Sequence, residues 1–309
     1  MMGTIRMGPY TIETSHEDKV IYPDIGATKG EVIDYYRSIA DTMIPHMRER
    51  PLTMHRFPEG IKGEDFYQKE APDHFPDWID RVEIPKREGG SNIQVICSNA
   101  ATLVYVANQG SITNHVWLSR MERLEYPDKL VFDLDPPSRS GQRAVRAAAL
   151  ALRELLTSLD MYPFVMTTGS RGMHVVVPLR REHDFDHVRE FSLQVAKAVV
   201  NDHPAEFTIE HRKEKRKGRL FLDYLRNAYA QTSVAPYSLR ARKGAPVAAP
   251  VHWYEVEDGS VGPQTFSIDT ILARVEEEGD PWNGFGRHAR SMNKARKKVA
   301  SKLDETRGE

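Results

Sequence analysis

Between residues 129 and 225 the apolar positions switch repeatedly from a period of two to a period near four. Lys129–Asp135 (KLVFDLD) is apolar at Leu130, Phe132 and Leu134 and acidic at Asp133 and Asp135, the alternation of a strand. Ser140–Asp160 is rich in Ala and Leu and predicts a helix, capped by Ser138 or Ser140. Pro163–Thr168 and His174–Leu179 predict two strands joined by the tight segment GSRGM. Asp186–Asn201 predicts a helix with Val188, Phe191, Val195 and Val199 on one face, and Arg219–Leu225 predicts a last strand. The order is β-α-β-β-α-β, a split βαβ arrangement within an α/β (α+β) class.

Upstream, Val32, Tyr35, Tyr36, Ile39, Met43 and Met47 recur at helical spacing, so residues 30–50 predict an amphipathic helix closed by Pro51. A turn-rich stretch with aromatic and basic residues follows (RFPEGIKGEDFYQKEAPDHFPDW). Pro85–Asn92 (PKREGGSN) reads as a polar loop between two apolar runs, and residues 100–109 as a short helix. There is no internal repeat and no low-complexity block.

The topology has a geometric consequence. In such a sheet the first strand is central, between the third and the fourth. Leu130, Phe132 and Leu134 then face the two helices, and Asp133 and Asp135 face the other way. On the last strand Leu220, Leu222 and Tyr224 face the helices, and Asp223 joins the other two acids. The N-terminal half is expected to cover part of that open face and form a cleft. Ionised carboxylates are rarely buried in a sheet without a partner, and three that converge make a cradle of hard oxygens suited to Mg²⁺ or Mn²⁺. Such ions are the usual means of nucleotidyl transfer.

Composition narrows the class without changing this picture. The 309 residues, 40% hydrophobic and 28% charged, describe an ordinary globular chain with room for one large domain or two small ones. No apolar run is long enough to span a bilayer and no secretory signal is evident, so a cytoplasmic location and no membrane partner are expected. Cys97 is the single cysteine, which excludes an internal disulfide and a cysteine-rich zinc site. Net charge is −1, but basic residues are concentrated in His211–Arg219 and in Arg287–Lys302, which lacks any acid. Local patches of this kind can neutralise phosphates on a neutral protein.

The segments DLDPP, TTGSRGMHVVVPL, FLDYLRN and APYSLRAR together resemble the polymerase domain of bacterial ligase D, a branch of the archaeo-eukaryotic primase superfamily. HEDKVIYPD, HRFPEG, FYQKEAP and VYVANQG resemble the same family in the same order, so the likeness covers residues 15–285. It implies one polymerase domain over residues 1–290, built of an N-terminal module (1–125) and the β-α-β-β-α-β catalytic module (126–290), then a basic tail (291–309). The implied activity is template-directed polymerisation in non-homologous end joining of prokaryotic DNA breaks: gap filling and end extension, with ribonucleotides preferred. The implied substrates are NTPs or dNTPs and DNA carrying 5′-phosphorylated gaps or 3′-overhangs, with Ku and a DNA ligase as partners. No ligase or nuclease motif is present, which leaves a stand-alone version or an excised domain.

By the same resemblance, Asp133, Asp135 and Asp223 hold two metal ions, one for the primer 3′-hydroxyl and one for the triphosphate. Thr168, Ser170, Arg171 and His174 surround a phosphate-binding turn whose glycines allow close backbone approach. The family often has Ser where Thr168 stands and Lys where Arg171 stands, so hydroxyl and charge are retained. His115, Arg226 and Arg240 are placed near the incoming nucleotide, and Arg216, in the basic run before Asp223, is a further phosphate candidate whose register among its basic neighbours is open. Lys19, Lys29 and Arg56 match a site for the 5′-phosphate across a gap. Phe66 and Tyr67 are expected to stack on a template base, and the Pro85–Asn92 loop matches one that helps pair broken ends.

Three rivals remain. A DxD phosphatase usually has Thr or Val four residues after the first Asp, where this chain has Pro137. A non-catalytic module that binds DNA ends or RNA through this sheet should display aromatic residues, not acids, on its open face. A true primase, starting chains without a primer, is not distinguished by the sequence.

Overall fold

The computed structural model describes residues 2–86, 89–136 and 141–308, which divide into two compact units. The first comprises Met1–Glu122, Thr232–Ala249 and Phe266–Gly279; the second comprises Arg123–Gln231, Pro250–Thr265 and Asp280–Glu309. The first crossing falls close to the module boundary read from the sequence, but the chain then returns twice to the first unit.

The first unit opens with the hairpin β1 (Met2–Met7) and β2 (Tyr10–Ser15), then the short pair β3 (Val20–Tyr22) and β4 (Ala27–Thr28). Thr28 caps α1 (Lys29–Met47): its hydroxyl accepts from the Glu31 amide, and the Glu31 carboxylate accepts from the Thr28 amide. This reciprocal box fixes the helix start just before the predicted one, and the helix ends at Met47, ahead of Pro51. β5 (Leu52–Arg56), β6 (Phe66–Gln68), the hairpin β7 (Arg81–Pro85) and β8 (Ser91–Val95), α2 (Ala100–Asn108) and β9 (Ser111–Trp117) follow. The segment expected as a loop from Pro85 to Asn92 contributes to both hairpin strands, with Pro85 opposite Ser91; Arg87 and Glu88 lie outside the described residues.

The second unit carries β10 (Lys129–Asp135), α3 (Gln142–Ser158), β11 (Phe164–Thr167), β12 (Met173–Pro178), α4 (Phe185–Asp202), β13 (Phe207–Thr208) and β14 (Leu220–Asp223). β15 (Thr232–Val234) returns to the first unit and pairs with β9, completing a sheet of order β15-β9-β5-β6. β16 (Pro250–Val251) and α5 (Trp253–Asp258) belong to the second unit, α6 (Ile271–Glu278) to the first, and α7 (Asn293–Gly308) to the second.

The second unit's sheet has the order β13-β14-β10-β12-β11-β16. The predicted central position of β10 between the third and fourth strands of the split βαβ unit is therefore present, with one added strand at each end. Leu130, Phe132, Leu134, Leu220 and Leu222 are buried, and α3 and α4 both pack on β10. Burying each such side chain stabilises by about 1.5–3 kcal/mol, enough to fix the strand register and with it the face taken by the acids. α3 begins at Gln142 after Gly141, with no side-chain cap; Ser138 and Ser140, expected as caps, lie outside the described residues. Asp184 caps α4 by accepting from the His187 amide at 2.9 Å.

Two expectations are corrected here. The last strand stops at Asp223; Tyr224 leaves it and begins a 3₁₀ turn over Leu225–Asn227, with its hydroxyl 3.2 Å from His211 Nε2. The segment read as a basic tail forms α7, which packs on α4 and buries Ala295 and Val299, with Met292 buried just ahead of it. Its lysines are drawn into ion pairs, Lys298 with Asp160 at 2.6 Å and Lys302 with Asp202 at 3.1 Å. A 3.6-residue apolar repeat within a basic run marks a docked helix, whereas a tail lacks one.

Candidate active site

The sheet register builds a lateral row of polar groups in the second unit. Asp133 is the direct partner of Asp223 on β14 and of His174 on β12. Direct cross-strand partners lie about 4.5–5.5 Å apart at Cβ and point to the same face. Asp135, two residues along β10, shares that face and stands opposite Phe221. The three acids thus come to one face from separated stretches of chain. Asp133 and Asp223 are about four-fifths buried, with side-chain exposures of 20% and 18%; Asp135 is more open at 36%.

Cations ring this row at unequal distances. Arg171 meets both oxygens of Asp135, at 2.9 and 3.1 Å. Arg226 Nε lies 3.5 Å from Asp133 and 3.8 Å from Asp223, and His174 Nε2 lies 3.5 Å from Asp133. These last contacts are too long for good hydrogen bonds. Arg216 stacks its guanidinium over Phe221 at 4.0 Å, beside Asp135, which singles it out from the other cations of the 211–219 run. Burial pushes the Asp223 carboxyl above the ordinary carboxylate range. A hydrogen bond from the Leu225 amide opposes that shift, the neighbouring Asp133 adds to it, and Arg226 and His174 offset it in part. Two partly buried carboxylates side by side are the donor chemistry a hard divalent cation takes. Among the described residues no group of three His, Cys, Asp or Glu side chains is arranged to hold a metal ion, and Asp135 is paired with Arg171.

The loop between β11 and β12 is held by Thr168. Its hydroxyl donates to the Gly172 carbonyl at 3.0 Å and accepts from the Ser170 and Gly172 amides at 3.3 Å. The Thr168 hydroxyl is therefore spent on the turn, which presents Ser170 and Arg171. A Cβ at Gly172 would lie 1.8 Å from the Leu134 carbonyl oxygen, so this position requires glycine and clamps the turn against the acid-bearing strand.

The first unit carries the other expected groups. Lys19 donates to the Pro58 carbonyl and to Glu59, each at 2.9 Å, and Lys29 donates to the Ser15 carbonyl at 2.6 Å. Half-burial, then repulsion from Lys19, holds the Lys29 ammonium below its usual range, with Glu17 pulling the other way. The two lysines therefore feel each other. Arg56 is held on β5, with Nε on the Gln109 carbonyl at 2.8 Å and Nη1 on Gln68 at 2.7 Å. Phe66 and Tyr67 are 45% and 61% exposed on edge strand β6, which removes core packing as their explanation. His115 on β9 shares a face with Tyr67, ring centroids 5.7 Å apart; burial lowers the pKa of His55 on that face, Asp65 opposes this and the nearby Arg240 charge adds to it.

The comparisons with known proteins follow this geometry. Residues 28–282 match the family model described as LigD, primase-polymerase domain. The chain belongs to this family. It is 36% identical over 271 residues to the multifunctional non-homologous end joining protein LigD of Mycolicibacterium smegmatis, across 87% of this chain and 35% of that protein. It is 33% identical over 272 residues to the bifunctional non-homologous end joining protein LigD of Bacillus subtilis, across 88% of this chain and 43% of that one. The chain thus spans well under half the length of these relatives. Among solved structures, the polymerase domain from Mycobacterium tuberculosis ligase D in complex with DNA superposes with a TM-score of 0.83 at 30% identity, over 90% of this chain and 98% of that one. The LigD primase-polymerase domain is a nucleotidyltransferase of the DNA/RNA polymerase class, and this chain is one. No helix among the described residues is long and apolar enough to cross a membrane.

Sequence reasoning missed two residues of this LigD-type site. Asn227 is fully buried and bonds both edges of Val131, Oδ1 accepting from its amide at 2.8 Å and Nδ2 donating to its carbonyl at 2.7 Å. It ties the turn that carries Arg226 to the acid-bearing strand. Phe221, the ring under Arg216, was hidden among apolar strand residues. Neither has a local signal, since both matter through a contact with a distant segment.

Proposed function

We propose that this chain is a template-directed polymerase that fills gaps and extends ends in non-homologous end joining, acting on DNA with 5′-phosphorylated gaps or 3′-overhangs. The observation that carries this reading is the row Asp223–Asp133–His174 across adjacent strands, with Asp135 beside it and three arginines around it. Asp133, Asp135 and Asp223 are the residues that would hold divalent ions, Mn²⁺ or Mg²⁺. Such ions lower the pKa of the attacking hydroxyl and stabilise the leaving pyrophosphate.

The chain's own residues supply the remainder. Arg171 Nη2 donates to both oxygens of Asp135, and a triphosphate competes for the same guanidinium. Arg216 and Arg226 add positive charge at the same face, where a polyanion is otherwise repelled by the acids. The family resemblance assigns His115 and Arg240 to the incoming nucleotide. Lys19 and Lys29 take the downstream 5′-phosphate; a dianion there relieves the repulsion that depresses Lys29. Arg56, expected as a third member of that site, is engaged by Gln109 and Gln68 and would have to exchange those partners. Phe66 and Tyr67 offer exposed rings for a template base. Ribonucleotide preference, a prokaryotic cytoplasmic setting near the nucleoid, and cooperation with Ku and a ligase extend this reading.

The test is nucleotide incorporation on a gapped duplex with and without Mn²⁺ and with and without a 5′-phosphate. Incorporation should require the ion and rise with the phosphate. Asp133→Ala should reduce extension by roughly 10³-fold or more and leave duplex binding in place. Extension by that variant at the parent rate ends the metal assignment. Products made on single-stranded template without a primer would favour a primase instead.

A further inference from the structure

The exposed aromatics of β6 are not equivalent. Consecutive residues of a strand point to opposite faces. Phe66 is the partner of Arg56, whose guanidinium lies 5.3 Å from the Phe66 ring, whereas Tyr67 is the partner of His55 on the other face. The His55 and Tyr67 rings are stacked, centroids 3.9 Å apart and planes within 15°. The far side of His55 is closed by Phe57, 4.3 Å away. The imidazole is only 15% exposed, and its Nε2 lies 2.7 Å from an oxygen of Asp65. A carboxylate only accepts, so Nε2 carries the proton and the ring orientation is set. Asp65 immediately precedes Phe66 at the entry of the strand. The tether therefore runs from the edge strand to the strand it pairs with and back.

We propose that His55, anchored by Asp65, is a positioning residue that holds Tyr67 as a ready-made stacking surface for a template nucleobase. The inference rests on the template-contact reading of β6 given above and adds the residues that make the contact rigid. A three-residue edge strand has few ladder bonds to hold it, and an exposed tyrosine rotates freely unless something packs on one side of its ring. His55 stacks on the Tyr67 ring and still leaves Tyr67 61% exposed. Burial in the stack lowers the imidazole pKa, Asp65 opposes this and the Arg240 charge adds to it, so a neutral ring that donates to Asp65 is the favoured form. A base that stacks on Tyr67 then meets a surface already ordered, and less entropy is lost on binding. The face is shared with His115, which brings the template contact beside a residue assigned to the incoming nucleotide.

The experiment uses a gapped duplex with 2-aminopurine as the templating base, whose fluorescence is quenched by stacking. The parent protein should quench it and Tyr67→Ala should not. His55→Ala and Asp65→Ala should each lose half or more of the quenching. The KM for the templated nucleotide should rise about fivefold, the low end of a base–aromatic stack, with kcat little changed. Asp65→Asn keeps an oxygen acceptor and should restore both readouts. Asp65 is half exposed, so its substitution keeps the test valid if His55→Ala fails to fold. Parent-like quenching in Asp65→Ala, or failure of Asp65→Asn to recover it, overturns the tether and leaves the stacking surface standing. Parent-like quenching in Tyr67→Ala removes both the template contact and the tether.

Discussion

Asp133 sits in the middle of a six-stranded sheet, with a hydrogen-bonded strand on each side and two helices packed behind it. Phe66 and Tyr67 sit on a three-residue strand at the edge of a four-stranded sheet. The two regions handle function by opposite means. In the second unit the side chains of the core fix the register, and the register alone brings Asp133, Asp223 and His174 into line. In the first unit each candidate group is held by its own contact: Tyr67 by the His55 ring, Arg56 by the Gln109 carbonyl and the Gln68 side chain, Lys19 by Glu59 and the Pro58 carbonyl. The chemistry follows the same division. Like charges can be forced together only where the scaffold is stiff, because holding carboxylates side by side costs energy that packing must offset. Aromatic and cationic groups that meet nucleic acid tolerate an edge.

The stiffness can be tested directly. Gly172→Ala should destabilise the protein by about 3 kcal/mol or more, because the new methyl would lie 1.8 Å from the Leu134 carbonyl oxygen and neither backbone has room to yield. Gly8→Ala, at the turn of the β1–β2 hairpin, meets no atom within 4 Å and should cost only about 1 kcal/mol for its positive φ of 59°. Urea denaturation of both variants measures the contrast; equal losses would erase it.

A smaller effect probes the first unit. Lys29→Ala should weaken binding to a 5′-phosphorylated gap about tenfold, the worth of a charge-assisted hydrogen bond, and barely affect an unphosphorylated one. Equal losses on the two substrates would remove the phosphate site.

The smallest expected effect concerns the strain in the acid row. The folded protein raises the Asp223 pKa, so the ionised carboxylate is less welcome in the fold than in the unfolded chain. Its contribution to stability is complete below the unfolded pKa and is lost as pH rises through the folded value. Asp223→Asn should therefore raise the midpoint of thermal unfolding at neutral pH, and the gain should fade as the pH is lowered into the ordinary carboxylate range. A variant less stable than the parent at neutral pH would mean that Arg226 and His174 neutralise the row fully.

Much of the second unit was legible because its periods are clean. The alternation in KLVFDLD and the helical repeats on either side gave the elements to within a few residues. Gly172 was read as a place where the backbone approaches a phosphate; the structure packs it against the Leu134 carbonyl oxygen. The tail was misread because a helix that buries Ala295 and Val299, with Met292 just before it, has little apolar weight beside its many lysines. Tyr224 was placed one residue too far into the strand because the Asp223 carboxylate accepts from the Leu225 amide and turns the chain there, a competition no periodicity reports.

Chain order, strand alternation and the placement of acids among apolar residues by themselves determined that Asp133, Asp135 and Asp223 share one face, since side-chain direction along a strand is set by backbone geometry alone. Which cation meets which acid, which arginine of the basic run finds Phe221, and which of two adjacent aromatics is held by a histidine were decided only in the tertiary structure. Those contacts join segments distant in sequence, and their distances depend on how the intervening chain packs.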